Sequence, residues 1–128
     1  MKTLILTCLI MLTGTAWAGL YDYRCKVIDT REVNKKGSFE NTKLYMGAEF
    51  SVSRTNGAII GMPFPNTSFG WKTTVLDQGG KDQSFKLISI SSGEFTHINY
   101  LEIHEFDEGI DKRFTGISGG TIHSGLCK

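Results

Sequence analysis

Three histidines, His97, His104 and His123, and the carboxylates beside the second are the side chains whose types and spacing could support chemistry. Glu102 and His104 lie two apart, so on a strand they share a face and both could reach one metal ion. His97 and His104 are seven apart and face opposite ways on a regular strand, so the spacing does not gather a third ligand. Glu102 and His104 are thus a weak metal candidate beside the ordinary reading of polar residues on a solvated face, and no cofactor is expected. Covalent catalysis needs a nucleophile beside a positioned base. The serines form no Gly-x-Ser-x-Gly elbow, and Ser118-Gly119-Gly120 before His123 reads as a flexible turn. No glycine-rich phosphate loop opens a helical stretch. The expectation is a protein that is not an enzyme and has no catalytic residue.

Any such residues must be held by a scaffold, and the chain's start says where that scaffold forms. Met1-Lys2, an apolar run from Leu4 to Leu12, and Ala16-Trp17-Ala18 supply the charge, core and cleavage site of a secretory signal peptide. Residues 1–18 are therefore expected to be removed, leaving 19–128 as a single β domain, periplasmic or secreted and monomeric. The alternative of lipidation at Cys8 meets Thr7, a poor residue before a lipidated cysteine. No later stretch approaches the roughly 20 apolar residues that a transmembrane helix requires. Loss of Cys8 leaves Cys25 and Cys127, an even pair in an oxidising compartment, which predicts a disulfide. It would close a loop of about 100 residues and contribute on the order of 4–5 kcal/mol by loop entropy. Of 14 Lys and Arg, Lys2 is lost, and the rest balance 13 Asp and Glu. A neutral chain lacks the basic surface that phosphate binding needs, so nucleic acid is not an expected partner.

Strand patterns fill the remainder. Tyr21, Tyr23, Cys25 and Val27 alternate with Asp22, Arg24 and Lys26, a half-buried strand with Cys25 inward. Residues 29–43 are polar and read as a loop. Glu49–Arg54 and Ala58–Ile60 flank Asn56-Gly57, a short-hairpin signal. Phe85–Ile90 and Phe95–Ile103 form the longest β pattern, with Ser91–Glu94 as the bend. A bend at Ser92-Gly93 pairs Ile90 with Phe95, Leu87 with Ile98 and Phe85 with Tyr100, and the apolar neighbours Leu87-Ile88 suggest a bulge or strong coiling. Trp71–Val75 is a strand, Asp77–Gly80 a turn, and Arg113–Ile117 and Thr121–Cys127 are the last strands. About 7–8 strands without a helix predict an all-β fold, a small antiparallel β-barrel or alternatively a β-sandwich. Closure removes exposed edges, which favours the barrel.

Two stretches offer contact surfaces. Met62, Phe64, Phe69 and Trp71 surround Asn66-Thr67-Ser68 in a loop stiffened by Pro63 and Pro65, a candidate binding loop, or else a lid folded over the sheet. Asn66-Thr67-Ser68 also matches the glycosylation pattern, which has no meaning in a bacterium. Glu102, Glu105, Asp107, Glu108 and Asp111 lie in a stretch without Lys or Arg, a candidate patch for a cationic partner or simply a solvated turn. The aromatic-x-Cys run Tyr23-Arg24-Cys25 resembles the opening strand of the C-type lysozyme inhibitors of Gram-negative bacteria, which are small disulfide-tied β-barrels. That resemblance implies an inhibitor of a basic hydrolase, although the family's inhibitory Ser-Gly-x-x-Tyr is not reproduced by Ser92-Gly93-Glu94-Phe95. The leading expectation is an exported binding or structural module for an unknown protein or small ligand. A periplasmic inhibitor of a basic hydrolase such as lysozyme is the second, and a small hydrolase or metalloenzyme the third.

Overall fold

The computed structural model describes residues 22–67 and 69–128; the expected signal peptide, Tyr21 and Ser68 lie outside the described residues. Among the described residues nine strands follow one another: β1 (Asp22–Val33), β2 (Phe39–Asn41), β3 (Glu49–Ser53), β4 (Ile59–Ile60), β5 (Trp71–Gly80), β6 (Gln83–Ser91), β7 (His97–Ile103), β8 (Lys112–Ser118) and β9 (Thr121–Cys127). Eight of them make one antiparallel sheet in the order β4-β3-β1-β9-β8-β7-β6-β5, with β2 added against β1, and the sheet curls into a half-barrel. Among the described residues there is no helix, and so none long and apolar enough to cross a membrane.

Residues opposite each other on a ladder share a face, so the inside of the sheet can be followed in rows. Cys25 opposes Cys127, and the two are joined by the expected disulfide. The next row runs Val27, Gly125, Phe114, Ile103, Phe85. The one above it runs Thr30, His123, Gly116, Leu101, Leu87, Val75. These rows are the buried core, which Phe50, Val52 and Ile59 complete from β3 and β4. Phe64 enters this core from the β4–β5 loop, with its ring edge-on to Phe50 at 5.2 Å and to His123 at 5.4 Å. Burying such a side chain stabilises the fold by roughly 1.5–3 kcal/mol. The space it fills exists because Gly116 has no side chain: a Cβ there would collide with the Phe64 ring.

Curvature has two local sources. The register shifts between Val27 and Asp29 in β1 and between Val75 and Asp77 in β5. Each bulge bends its strand and raises the local twist. The curl brings the β3–β4 edge towards β5, and side chains bridge the two edges. Asn66 Oδ1 accepts from the Ile59 amide at 2.6 Å, while its Nδ2 donates to the Gly57 carbonyl and to Thr73 Oγ1, both at 3.1 Å. At the other end of this seam Arg54 donates to the Gln78 carbonyl at 3.3 Å and pairs with Glu105 at 3.3 Å. The Tyr23 hydroxyl donates to the same carboxylate at 2.5 Å, and Arg54 lies 5.5 Å from the Tyr23 ring centroid. Beside the disulfide, Arg24 and Lys128 exchange backbone hydrogen bonds of 3.0 and 2.8 Å.

Several expectations need correction. In the central hairpin Phe85 opposes Ile103, Leu87 opposes Leu101 and Ile90 opposes Ile98, three positions from the predicted register, and residues 92–96 form the connection. No bulge interrupts that ladder. Instead Ile88, Ile90, Ile98, Tyr100 and Ile117 give the outer face an apolar stripe of its own, while the observed pairing sends four fully buried side chains inward. The polar stretch after Val27 is not all loop: β1 continues to Val33 and β2 folds back on it, leaving residues 34–38 as the turn. Asp77–Gly80 is likewise part of β5, with the turn at residues 81–82.

Candidate functional site

The rows change character towards one end of the half-barrel. Above the Thr30–His123 row, Thr73, Ser89, Asn99, Ser118 and Thr121 oppose one another in turn across β5 to β9, and Glu32 ends the row on β1. Ser89, Asn99 and Thr121 are buried polar residues, and Thr73 Oγ1 and Ser89 Oγ lie 2.8 Å apart. One step further Trp71, Ser91 and His97 form a rim. Along β9 this end stands some 20 Å from the disulfide, at about 3.4 Å per residue.

A cavity of about 280 Å³ opens there, walled by Trp71, His97, Asn99, Ser118 and Thr121 from the strands. Leu44 and Tyr45 from the β2–β3 loop and Met62, Pro63 and Pro65 from the β4–β5 loop complete it. Tyr45 adopts φ 58°, a left-handed conformation that a residue with a side chain rarely takes. The turn around it fixes this: the Met46 amide bonds the Lys43 carbonyl at 3.2 Å, Gly47 the Val27 carbonyl at 3.0 Å and Ala48 the Tyr45 carbonyl at 3.0 Å. The Tyr45 ring stands 6.1 Å from His123, which lies beneath the polar row.

His123 is buried rather than on a solvated face, its Nδ1 3.0 Å from Thr30 Oγ1. Burial lowers its pKa, which keeps the imidazole neutral. His104 stacks on Phe106 at 5.2 Å, and its buried Nδ1 has no hydrogen-bond partner among the described residues. Glu102 accepts from the Tyr100 hydroxyl at 3.0 Å. Burial pushes the Glu102 carboxyl up, but hydrogen bonds from Ser84 and Tyr100 and the nearby charges of Lys86 and His104 bring it below its usual value. Burial and the same bond to Glu102 raise the Tyr100 phenol to about 12. Among the described residues no three His, Cys, Asp or Glu side chains converge as a metal site would require.

The candidate binding loop divides. Phe64 and Asn66 turn inward as plug and seam bridge, Met62 and Trp71 line the cavity, and Phe69 stands fully exposed outside it. In the acidic stretch, Glu105 is engaged by Tyr23 and Arg54, and Asp107 makes two bonds to the Arg113 guanidinium at 2.8 and 2.7 Å. Those bonds hold the Asp107 carboxyl well below the usual range, and Lys112 Nζ donates to its carbonyl. Glu108 and Asp111 remain exposed in the loop between β7 and β8. A larger groove of about 650 Å³ crosses the outer face beside the disulfide, where Arg24, Lys26 and Lys128 are interspersed with Glu49 and Asp111. The mouth, unlike that groove, joins an internal row of buried polar groups to open space. Comparisons with protein-family models, curated proteins and solved structures found no match.

Proposed function

We propose that this chain is an exported, non-catalytic binding module, periplasmic or secreted, whose recognition site is the mouth of the half-barrel. The observation that supports it is the inward row Thr73–Ser89–Asn99–Ser118–Thr121 ending in a cavity rimmed by Trp71, Tyr45 and Met62. Binding sites characteristically combine an apolar wall with a few convergent polar groups held on a rigid frame, and four strands and two loops supply both here. The groups are suited to holding a ligand: amide, hydroxyl, imidazole and aromatic faces, rather than a carboxylate opposed to a base. Amide-resolved NMR of the disulfide-intact chain against mixed small metabolites tests this. Saturable shifts centred on the Trp71 indole, Asn99 and Thr121 are the expected result; shifts confined to the outer face would end the proposal.

A second reading, an inhibitor of a basic hydrolase such as lysozyme, draws on the opposite pole, where Glu108 and Asp111 are exposed beside Phe106 and Ile110. A cationic lysozyme held by this loop would be captured more strongly at low salt than at moderate salt. Absence of both capture and inhibition at low salt removes that reading.

A further inference from the structure

Resting on the mouth as the recognition site, we infer that its ligand is a neutral polyhydroxylated ring, a single sugar unit stacked against Trp71. Charge comes first: among the described residues no Asp, Glu, Lys or Arg lines the cavity, and Glu32, at the end of the polar row, is outside its wall. A charged ligand brought out of water into such a site would meet no countercharge, which is costly. Size comes second. A cavity of about 280 Å³ matches one small ring and is too small for a folded peptide.

Hydrogen-bonding capacity then separates a sugar from an apolar ring. Asn99 offers two donors and an acceptor site, Ser118 and Thr121 each donate and accept, and the His97 ring does one of each when neutral. A ring of hydroxyls, every one both donor and acceptor, can satisfy this set. A hydrocarbon covering the cavity would offer the Asn99, Ser118 and Thr121 side chains in its wall no polar partner in place of water. The aromatic wall provides the complementary half, since the C–H face of a sugar is apolar and packs on the flat face of an indole or phenol.

Tyr45 adds an independent observation. A tyrosine held at φ 58° costs on the order of 1 kcal/mol or more, and such outliers gather where a binding geometry is being maintained. Glycine would occupy that position without strain. The left-handed turn, tied to β1 through the Gly47 amide and the Val27 carbonyl, places the Tyr45 ring in the cavity wall.

The test titrates the disulfide-intact chain with glucose, galactose, mannose and N-acetylglucosamine. Glucuronate and glucosamine serve as charged analogues, and indole and cyclohexanol as apolar ones. Trp71 is the single tryptophan after the expected signal peptide, so its emission reports on the mouth directly, with amide NMR as the second readout. At least one neutral sugar should bind saturably. Affinity should fall by about tenfold or more in Trp71→Ala (followed by NMR) and in Tyr45→Gly, with both variants still giving the folded chain's dispersed amide spectrum. Leu76→Ala, on the exposed outer face of β5, should bind as the parent does. If indole or a charged analogue shifts the mouth while every neutral sugar fails, the ligand class is wrong and the mouth stands. If no compound shifts the mouth, the recognition site itself is wrong. A Tyr45→Gly chain that binds sugar unchanged would also overturn the assignment.

Discussion

His123 shows how a single side chain can be misjudged from its type. It lies inward in the row with Thr30 and Gly116, between the Phe64 and Tyr45 rings, and its hydrogen bond to Thr30 is internal. Because burial lowers its folded pKa, the unfolded chain binds the extra proton between that value and the free value of about 6.5. Its contribution to stability is therefore complete above about pH 6.5 and is lost as pH falls below that point. Urea midpoints measured from pH 8 to 5 should decline on the acid side, and His123→Gln should flatten that decline. The depressed carboxyls of Asp107 and Glu102 act in a separate window, since their stabilisation is present above about pH 4 and lost below it. A slope that survives in His123→Gln between pH 7 and 5 would assign the effect elsewhere.

At the level of elements, legibility follows how strictly one face excludes the other. The alternation of Tyr23, Cys25 and Val27 with charged neighbours permits one orientation, and β1 adopts it. Asn56-Gly57 marks the connection between β3 and β4 because Gly57, at φ 73°, takes a conformation closed to most residues. The register of β6 and β7 is not readable, because Ile88, Ile90, Ile98 and Tyr100 are apolar on the outer face as well. Nor is the mouth: Ser89 and Asn99 look like ordinary strand residues until their neighbours are known, and Tyr45 sits in an irregular stretch without a periodic signal. Met62 and Trp71 could be singled out because aromatic and apolar groups on a proline-stiffened loop are unusual, whereas the inward turn of Phe64 depends on a distant glycine. That dependence is measurable. Gly116→Ala should cost about 1–3 kcal/mol by overpacking, and much of the penalty should vanish in a Phe64→Leu background. Additive losses in the double variant would show that the two positions do not share the space.

For the molecule as a whole, the two sheet edges meet through side chains and not through a ladder, and Asn66 carries three of the bridging bonds. Removing it in Asn66→Ala leaves the Ile59 amide without its acceptor. The expected loss is about 2–3 kcal/mol in urea unfolding, against less than about 0.5 kcal/mol for the exposed Asn41→Ala. Faster hydrogen exchange should accompany it along β4 and β5 more than along β8 and β9; uniform acceleration would argue that the bridge is not a local fastening.

The backbone exchange between Arg24 and Lys128, beside the bonded cysteines, sets the start of β1 and the end of β9 at one pole, with the opening at the other. A molecule moored to any support through the start of β1 or the end of β9 would stand upright on it, its opening turned outward to whatever diffuses past. Reporter domains or surface linkers could be attached at that base without shading the opening.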